Sequence, residues 1–218
     1  MERSLFNYMV MQFRKVLVLA TLLYASLFYG QKNGQEIIEA KGIKGIMITS
    51  DQVFKIDVSS IKTDKITVKS EISGETFESM VINSEVKNGF LEINASRSPF
   101  FKELDDKLAA HKVMSIVLNI TMPEGFEFWV ESALAAVNMQ GDYDLIELNL
   151  GRGDCNLKHF RGSGKINTRS GNIYVNTQNC NIDGTSRHGK ENIESVAQGI
   201  HHLELKSITG TITVTQSE

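Results

Sequence analysis

Residues of one type recur through the second half of the chain at a step of eighteen. Val130, Leu148 and Ile166 form one such series, Val137, Cys155 and Ile173 a second, Met139, Leu157 and Val175 a third, and Gly153, Gly171 and Gly189 a fourth. Another copy, Leu205, Ser207, Gly210, Ile212 and Val214, reproduces Ile166, Thr168, Gly171, Ile173 and Val175 without a gap, 39 residues on. The copy in between, near Gly184 to Ile193, keeps Gly189 but loses most of its apolar positions, so a three-residue insertion and a bulged loop are expected there. A unit of this kind cannot bury its apolar face alone: alternate side chains point inward, glycine permits the corner, and stacking supplies the core. The expectation is an all-β chain with a single-stranded β-solenoid of about 18-residue coils over 124–218.

The preceding region, 42–123, reads as irregular antiparallel β-strands. Short alternating runs such as Val53–Val58, Lys65–Val68 and Phe90–Ile93 are separated by turn-rich pieces, Ser73-Gly74 and Lys87-Asn88-Gly89 among them. Glu103 to Ala110 has good helix formers with Leu104 and Leu108 four apart, and predicts a short helix after Pro99. Residues 31–41 read as a linker.

Compartment follows from the start of the chain. Arg14 and Lys15 precede fourteen mostly apolar residues, Val16 to Tyr29, and Gly30-Gln31 open a polar stretch. A bilayer span takes about 20 apolar residues, so 1–30 reads as a signal peptide cleaved near Gly30, with Ala25 or a retained anchor as alternatives. Met11 already begins a complete signal and is an alternative initiator. Cleavage removes Arg3, Arg14, Lys15 and Glu2 from the 23 basic and 26 acidic side chains and takes the formal net charge from −3 to −5. A mildly acidic body does not suit a phosphate backbone, which excludes nucleic acid as a partner.

Each chemistry-bearing residue has a structural reading beside its functional one. Arg152-Gly153-Asp154 spells a cell-attachment tripeptide, but Gly153 belongs to the glycine series and its neighbours to positions filled elsewhere by Ser170 and Asn172. Cys155 falls in an apolar series and Cys180 seven positions past the equivalent place, which argues against a disulfide between them. Of His111, His159, His188, His201 and His202, His201 or His202 could join His188 and Glu191 or Glu194 around a metal, but adjacent strand residues point to opposite faces, and solvated loop histidines are the expectation. Asn149 with Asn167, and Asn138 with Asn156, form amide series that stacking explains and that a sugar could also use. Asp142, Asp144, Glu147 and Asp154 lie near one another in sequence, but the step scatters them across different series, and a glycan-cleaving site needs two carboxylates converging. No catalytic, cofactor or metal residue is assigned.

Ile166-Asn-Thr-Arg-Ser-Gly-Asn-Ile-Tyr-Val and Leu205-Lys-Ser-Ile-Thr-Gly-Thr-Ile-Thr-Val resemble the Thr-x-Ser-Gly-x-Ile-x-Val units of the bacterial putative-adhesin repeat family. Leu118-Asn-Ile-Thr-Met-Pro-Glu-Gly is similar to that family's lead-in, and the resemblance covers 113–218. It departs where Ala133-Leu-Ala-Ala replaces the Ser-Gly corner. The family brings no catalytic residues and no function to carry over; the export signal, the repeat and the absence of chemistry together point to an exported, non-catalytic protein of the bacterial periplasm or outer surface, binding an envelope protein or surface glycan. Two rivals stand beside it: self-association through an uncovered edge of the last copy, Leu205 to Val214, and a polysaccharide-active β-helix enzyme.

Overall fold

The computed structural model describes residues 11–12, 14–15, 31–74, 77–98 and 114–217. All of the expected signal segment but residues 11–12 and 14–15, its cleavage site, the Glu103 to Ala110 helix and His111 lie outside the described residues. Among those described, the protein is all-β from residue 31 on, with one 3-10 turn at Phe77–Ser79, and residues 11–12 and 14–15 are helical.

Fifteen strands join one sheet. The first six are β1 (Gln31–Glu39), β2 (Gly45–Thr49), β3 (Lys55–Ile61), β4 (Lys65–Gly74), β5 (Met80–Lys87) and β6 (Phe90–Arg97). Then come β7 (Met114–Pro123), β8 (Phe126–Ser132) and two long strands, β9 (Ala136–Leu150) and β10 (Cys155–Thr168). The chain finishes with β11 (Ile173–Thr177), β12 (Cys180–Ser186), β13 (Glu191–Ile193), β14 (His201–Ser207) and β15 (Ile212–Gln216).

Two ladders share the long strands. The first halves of β9 and β10 belong to the order β1-β4-β7-β3-β9-β10-β11-β15-β13, and their second halves to β5-β6-β2-β8-β9-β10-β14-β12. The change comes at a bend in the middle of each. Gly141 takes φ 105 there, against the Ser60 carbonyl, and the β9–β10 register shifts between Lys158 and Phe160 and between Arg161 and Ser163. Side chains from both ladders meet between them: Phe128, Phe160, Ile46, Ile56, Leu118 and Ile166 are fully buried. Each such side chain contributes roughly 2 kcal/mol by leaving water.

The eighteen-residue step is a pairing register. Val137 lies beside Cys155 and Cys155 beside Ile173, all in parallel, and Leu148 lies beside Ile166. Leu205 sits directly against Ile166, and Ile212 against Ile173. The final copy therefore adjoins the third one in space. β12 and β13, which precede it in sequence, pair on its far side, Gly184 with Leu205 and Ile193 with Val214. The glycines trace the same order, because a Cβ on Gly171 would overlap the Gly153 carbonyl oxygen, one on Gly210 that of Gly171, and one on Gly189 that of Gly210.

This order corrects the expected uncovered edge at Leu205–Val214. β14 lies between β10 and β12, and β15 between β11 and β13, so the open edges at this end belong to β12 and β13. A rung with intact apolar positions fits an interior place, and the degraded one needs company on one side only.

Two expectations about the first half also change. Residues 31–39 are no linker: β1 pairs antiparallel with β4 over its whole length, although seven of its first eight-residue run are exposed on both sides, which hid its alternation. Nor is 42–123 simply antiparallel. β4 and β7, and β5 and β6, are antiparallel pairs, whereas β2 runs parallel to β6 and β8, and β3 parallel to β7 and β9. Ile56 beside Val137 and Val58 beside Met139 extend the apolar series by one more rung, so the parallel ladder crosses the boundary expected at 124.

A candidate binding groove at the stacked corner

Most corners after the second ladder are built by one local device, which the corner at 150–153 lacks because Leu150 ends its strand. A Ser or Thr at the end of a strand turns its hydroxyl on the residue three further on: Ser132 Oγ accepts the Ala135 N–H at 3.1 Å, and Ser207 Oγ the Gly210 N–H at 2.8 Å. Thr168 Oγ1 instead donates to the Gly171 carbonyl at 2.7 Å and meets Ser207 Oγ at 3.0 Å. These hydroxyls are buried, so satisfying them locally is what lets a polar side chain replace an apolar one there. The Ser/Thr-x-x-Gly spacing is thus the signature of a corner.

Asx side chains tie successive corners together. Asp154 Oδ1 accepts the Asn172 N–H at 2.7 Å, and Asn172 Oδ1 the Thr211 N–H at 2.9 Å. Asp51 Oδ1 accepts the Ala133 N–H at 2.7 Å two rungs earlier. Asp154 is therefore spent on the backbone, and the Arg152-Gly153-Asp154 tripeptide is a corner with its glycine pressed on the Ala135 carbonyl.

Beside these corners runs a groove of about 460 Å³. Along the stack Asp51 and then Glu131 with Ala133 come first, Asn149, Gly151 and Arg152 share the next rung, Asn167 and Arg169 the one after, and Ile208 follows, all of them lining the groove. Register explains the series: Glu131 pairs beside Asn149, Asn149 beside Asn167, and Asn167 beside Lys206. Asn167 Nδ2 donates to Asn149 Oδ1 at 2.9 Å, so these two amides are stacked as well as aligned. The Arg169 N–H donates to the Gly151 carbonyl at 3.1 Å, which sets Arg169 beside the turn that carries Arg152.

The other candidates separate. Asn138 and Asn156 are paired neighbours, but Asn138 Nδ2 donates to Asp57 Oδ1 at 2.7 Å on the other ladder. Asp142 faces Arg161 at 3.8 Å at the bend, and none of Asp142, Asp144, Glu147 and Asp154 lines the corner groove. His201 and His202 lie beside Cys180 and Asn181 in the β12–β14 pair, and His202 Nε2 is 3.4 Å from Asp183 Oδ2. His188 sits in a turn, its N–H on the Ile208 carbonyl, His159 takes φ 45 on the surface, and Glu191 Oε1 accepts the Ser186 N–H at 2.6 Å. Glu194 is bound by its backbone to Val214. Among the described residues no three His, Cys, Asp or Glu come together as a metal group.

Cys155 and Cys180 are free and buried. Burial pushes the Cys155 thiol well above its ordinary range, with the Asp154 charge adding to the effect, and pushes Cys180 up to about 11. Neither is a reactive thiolate at neutral pH. Tyr143 is raised in the same way by burial; its hydroxyl donates to the Gln140 carbonyl at 2.9 Å and its ring stacks on Phe160 with centroids 5.6 Å apart. Asn149 and Asn167 were visible in the sequence through the step. Asp51, Glu131 and Ile208 were not, because no fixed spacing links Asp51 to Ala133.

No family model matches the sequence. No curated protein matches it either. Solved structures do: a putative cell adhesion protein from Clostridium sporogenes is 17% identical and superposes with a TM-score of 0.58 over 86% of this chain and 100% of that one. A putative adhesin from Bacteroides fragilis is 15% identical, with a TM-score of 0.39 over 84% of this chain and 97% of its own. The likeness to the Clostridium protein shows a common fold. Among the described residues no helix is long and apolar enough to cross a membrane.

Proposed function

We propose that this chain is a non-catalytic, adhesin-like binding module of the bacterial envelope, exported through the signal segment 1–30, with its parallel rungs acting as a short β-solenoid that displays the corner groove to a ligand. The observation that carries this reading is the groove itself: two amides in register on a parallel ladder, with two guanidinium groups on the same rungs and the nearby carboxylate Asp154 committed to the backbone. Rigid presentation of polar groups lowers the entropy lost on binding. The shared fold with a protein named for cell adhesion agrees with a binding role.

The test is a binding screen of residues 31–218 against surface glycans and envelope proteins, run beside Asn149→Ala/Asn167→Ala. Binding that falls in the double variant, with the fold retained by circular dichroism, supports the groove as the site. Absence of any ligand in the screen overturns the binding role. Mass spectrometry of the mature N-terminus, with protease access on intact cells, tests export: a chain beginning near Gln31 is expected.

A further inference from the structure

Arg152 and Arg169 are unspent chemistry at the corner. Each guanidinium carries five donors, and neither side chain has a hydrogen bond or ion pair among the described residues. They occupy neighbouring rungs of the groove, beside Asn149 and Asn167, on a chain whose formal net charge is −3. A pair of unengaged guanidiniums is a receptor for a planar oxyanion, which two parallel N–H bonds hold with both energy and orientation.

The rest of the groove constrains what carries that anion. The Asn149–Asn167 bond uses one amide hydrogen of Asn167 and leaves its Oδ1 and second N–H outward, a donor and an acceptor side by side. Ala133, Gly151 and Ile208 add small apolar lining, with Ile208 44% exposed. Such a surface suits the C–H face of a sugar ring with its hydroxyls against the amides. At the far end Asp51 and Glu131 accept hydroxyl protons and repel a second anion. With strands about 4.8 Å apart, Glu131 to Asn167 covers about 10 Å, the length of two or three sugars.

We propose that the groove takes a short neutral oligosaccharide bearing one carboxylate, with the carboxylate on Arg152 and Arg169, the hydroxyls of that uronate on Asn149 and Asn167 of the same two rungs, and the uncharged units towards Ala133 and Glu131. This rests on the groove being the binding site and adds the ligand class. A uniformly charged polyuronate is disfavoured by Asp51 and Glu131.

Calorimetry of residues 31–218 with glucuronosyl-xylobiose, xylotriose, trigalacturonate and inorganic phosphate tests it. The single-uronate sugar is expected to bind about ten-fold or more tighter than xylotriose, weakening with added salt, and Arg152→Gln/Arg169→Gln is expected to remove that margin. Tighter binding of trigalacturonate, or phosphate binding as tightly through the same arginines, overturns the ligand class. So does xylotriose binding equally well and depending on Asn149 and Asn167, an outcome that leaves the groove as the site. Absence of binding by all four probes overturns the proposed ligand class, while a ligand found in the wider screen that depends on Asn149 and Asn167 leaves the binding role standing.

Discussion

β14–β15 and β12–β13 are successive rungs of one ladder, paired strand to strand, and they are built to different standards. Leu203, Leu205, Ile212 and Val214 of the first are fully buried, whereas in the second Ile182 is partly buried and Glu191, Asn192 and Ile193 are exposed. The better rung comes later in the chain and lies deeper in the stack. Apolar quality thus follows position in space, because an interior rung presses on neighbours above and below while the outermost one has a single neighbour.

The comparison breaks most sharply in the core. Leu205→Ala removes a side chain enclosed by two rungs and is expected to cost about 3 kcal/mol, whereas Ile182→Ala should cost about 1 kcal/mol, both read from urea unfolding midpoints. Equal losses would mean that the outer rung is packed as well as the inner. The corner glycines give the next largest contrast. A Cβ at either Gly210 or Gly189 overlaps a carbonyl oxygen of the rung beneath, but the outer rung is free to lift. Gly210→Ala is expected to cost about 2–3 kcal/mol and Gly189→Ala about 1 kcal/mol by the same measurement.

Thiol labelling reads opening directly. Cys155 sits at an interior rung and Cys180 in β12, both buried and protonated at pH 8, so modification needs local unfolding. Cys180 is expected to react about ten-fold or more faster than Cys155, measured by mass spectrometry of peptides; matched rates would show that the stack opens as one unit. The smallest effect is electrostatic. Lys206 and Lys165 hold Glu204 below its ordinary value of 4.5. A depressed folded pKa contributes stability above the unfolded value that is lost as pH falls through the folded one. The wild type should therefore lose slightly more stability than Glu204→Gln between pH 5 and pH 3, and less so in high salt.

Much of this ladder was legible because it repeats types at a fixed step: the glycine series, the buried hydroxyls and the Asn149–Asn167 pair all follow from the eighteen-residue register. The order of the rungs was not read, although the gapless match of Leu205–Val214 to Ile166–Val175 was its trace, since spacing along a chain does not say which copies touch. β2 and β3 escaped as parallel rungs because their parallel partners lie 45 to 82 residues away, at no fixed step. β1 escaped because Glu36-Ile-Ile-Glu39 does not alternate on a strand exposed on both sides. In the groove, Arg152 was legible only as part of a tripeptide, and its pairing with Arg169 depends on the corner that brings the two together.

The displaced order of the last rungs also bears on synthesis. A growing chain delivers β12 and β13 before the strands on which they rest, so the far end cannot be laid down course by course. A chain halted after Ile193 would have its closing piece in hand and nothing to set it against. Completion of the stack is thereby tied to arrival of residues 201–216, and an interrupted product is left open to proteolytic disposal.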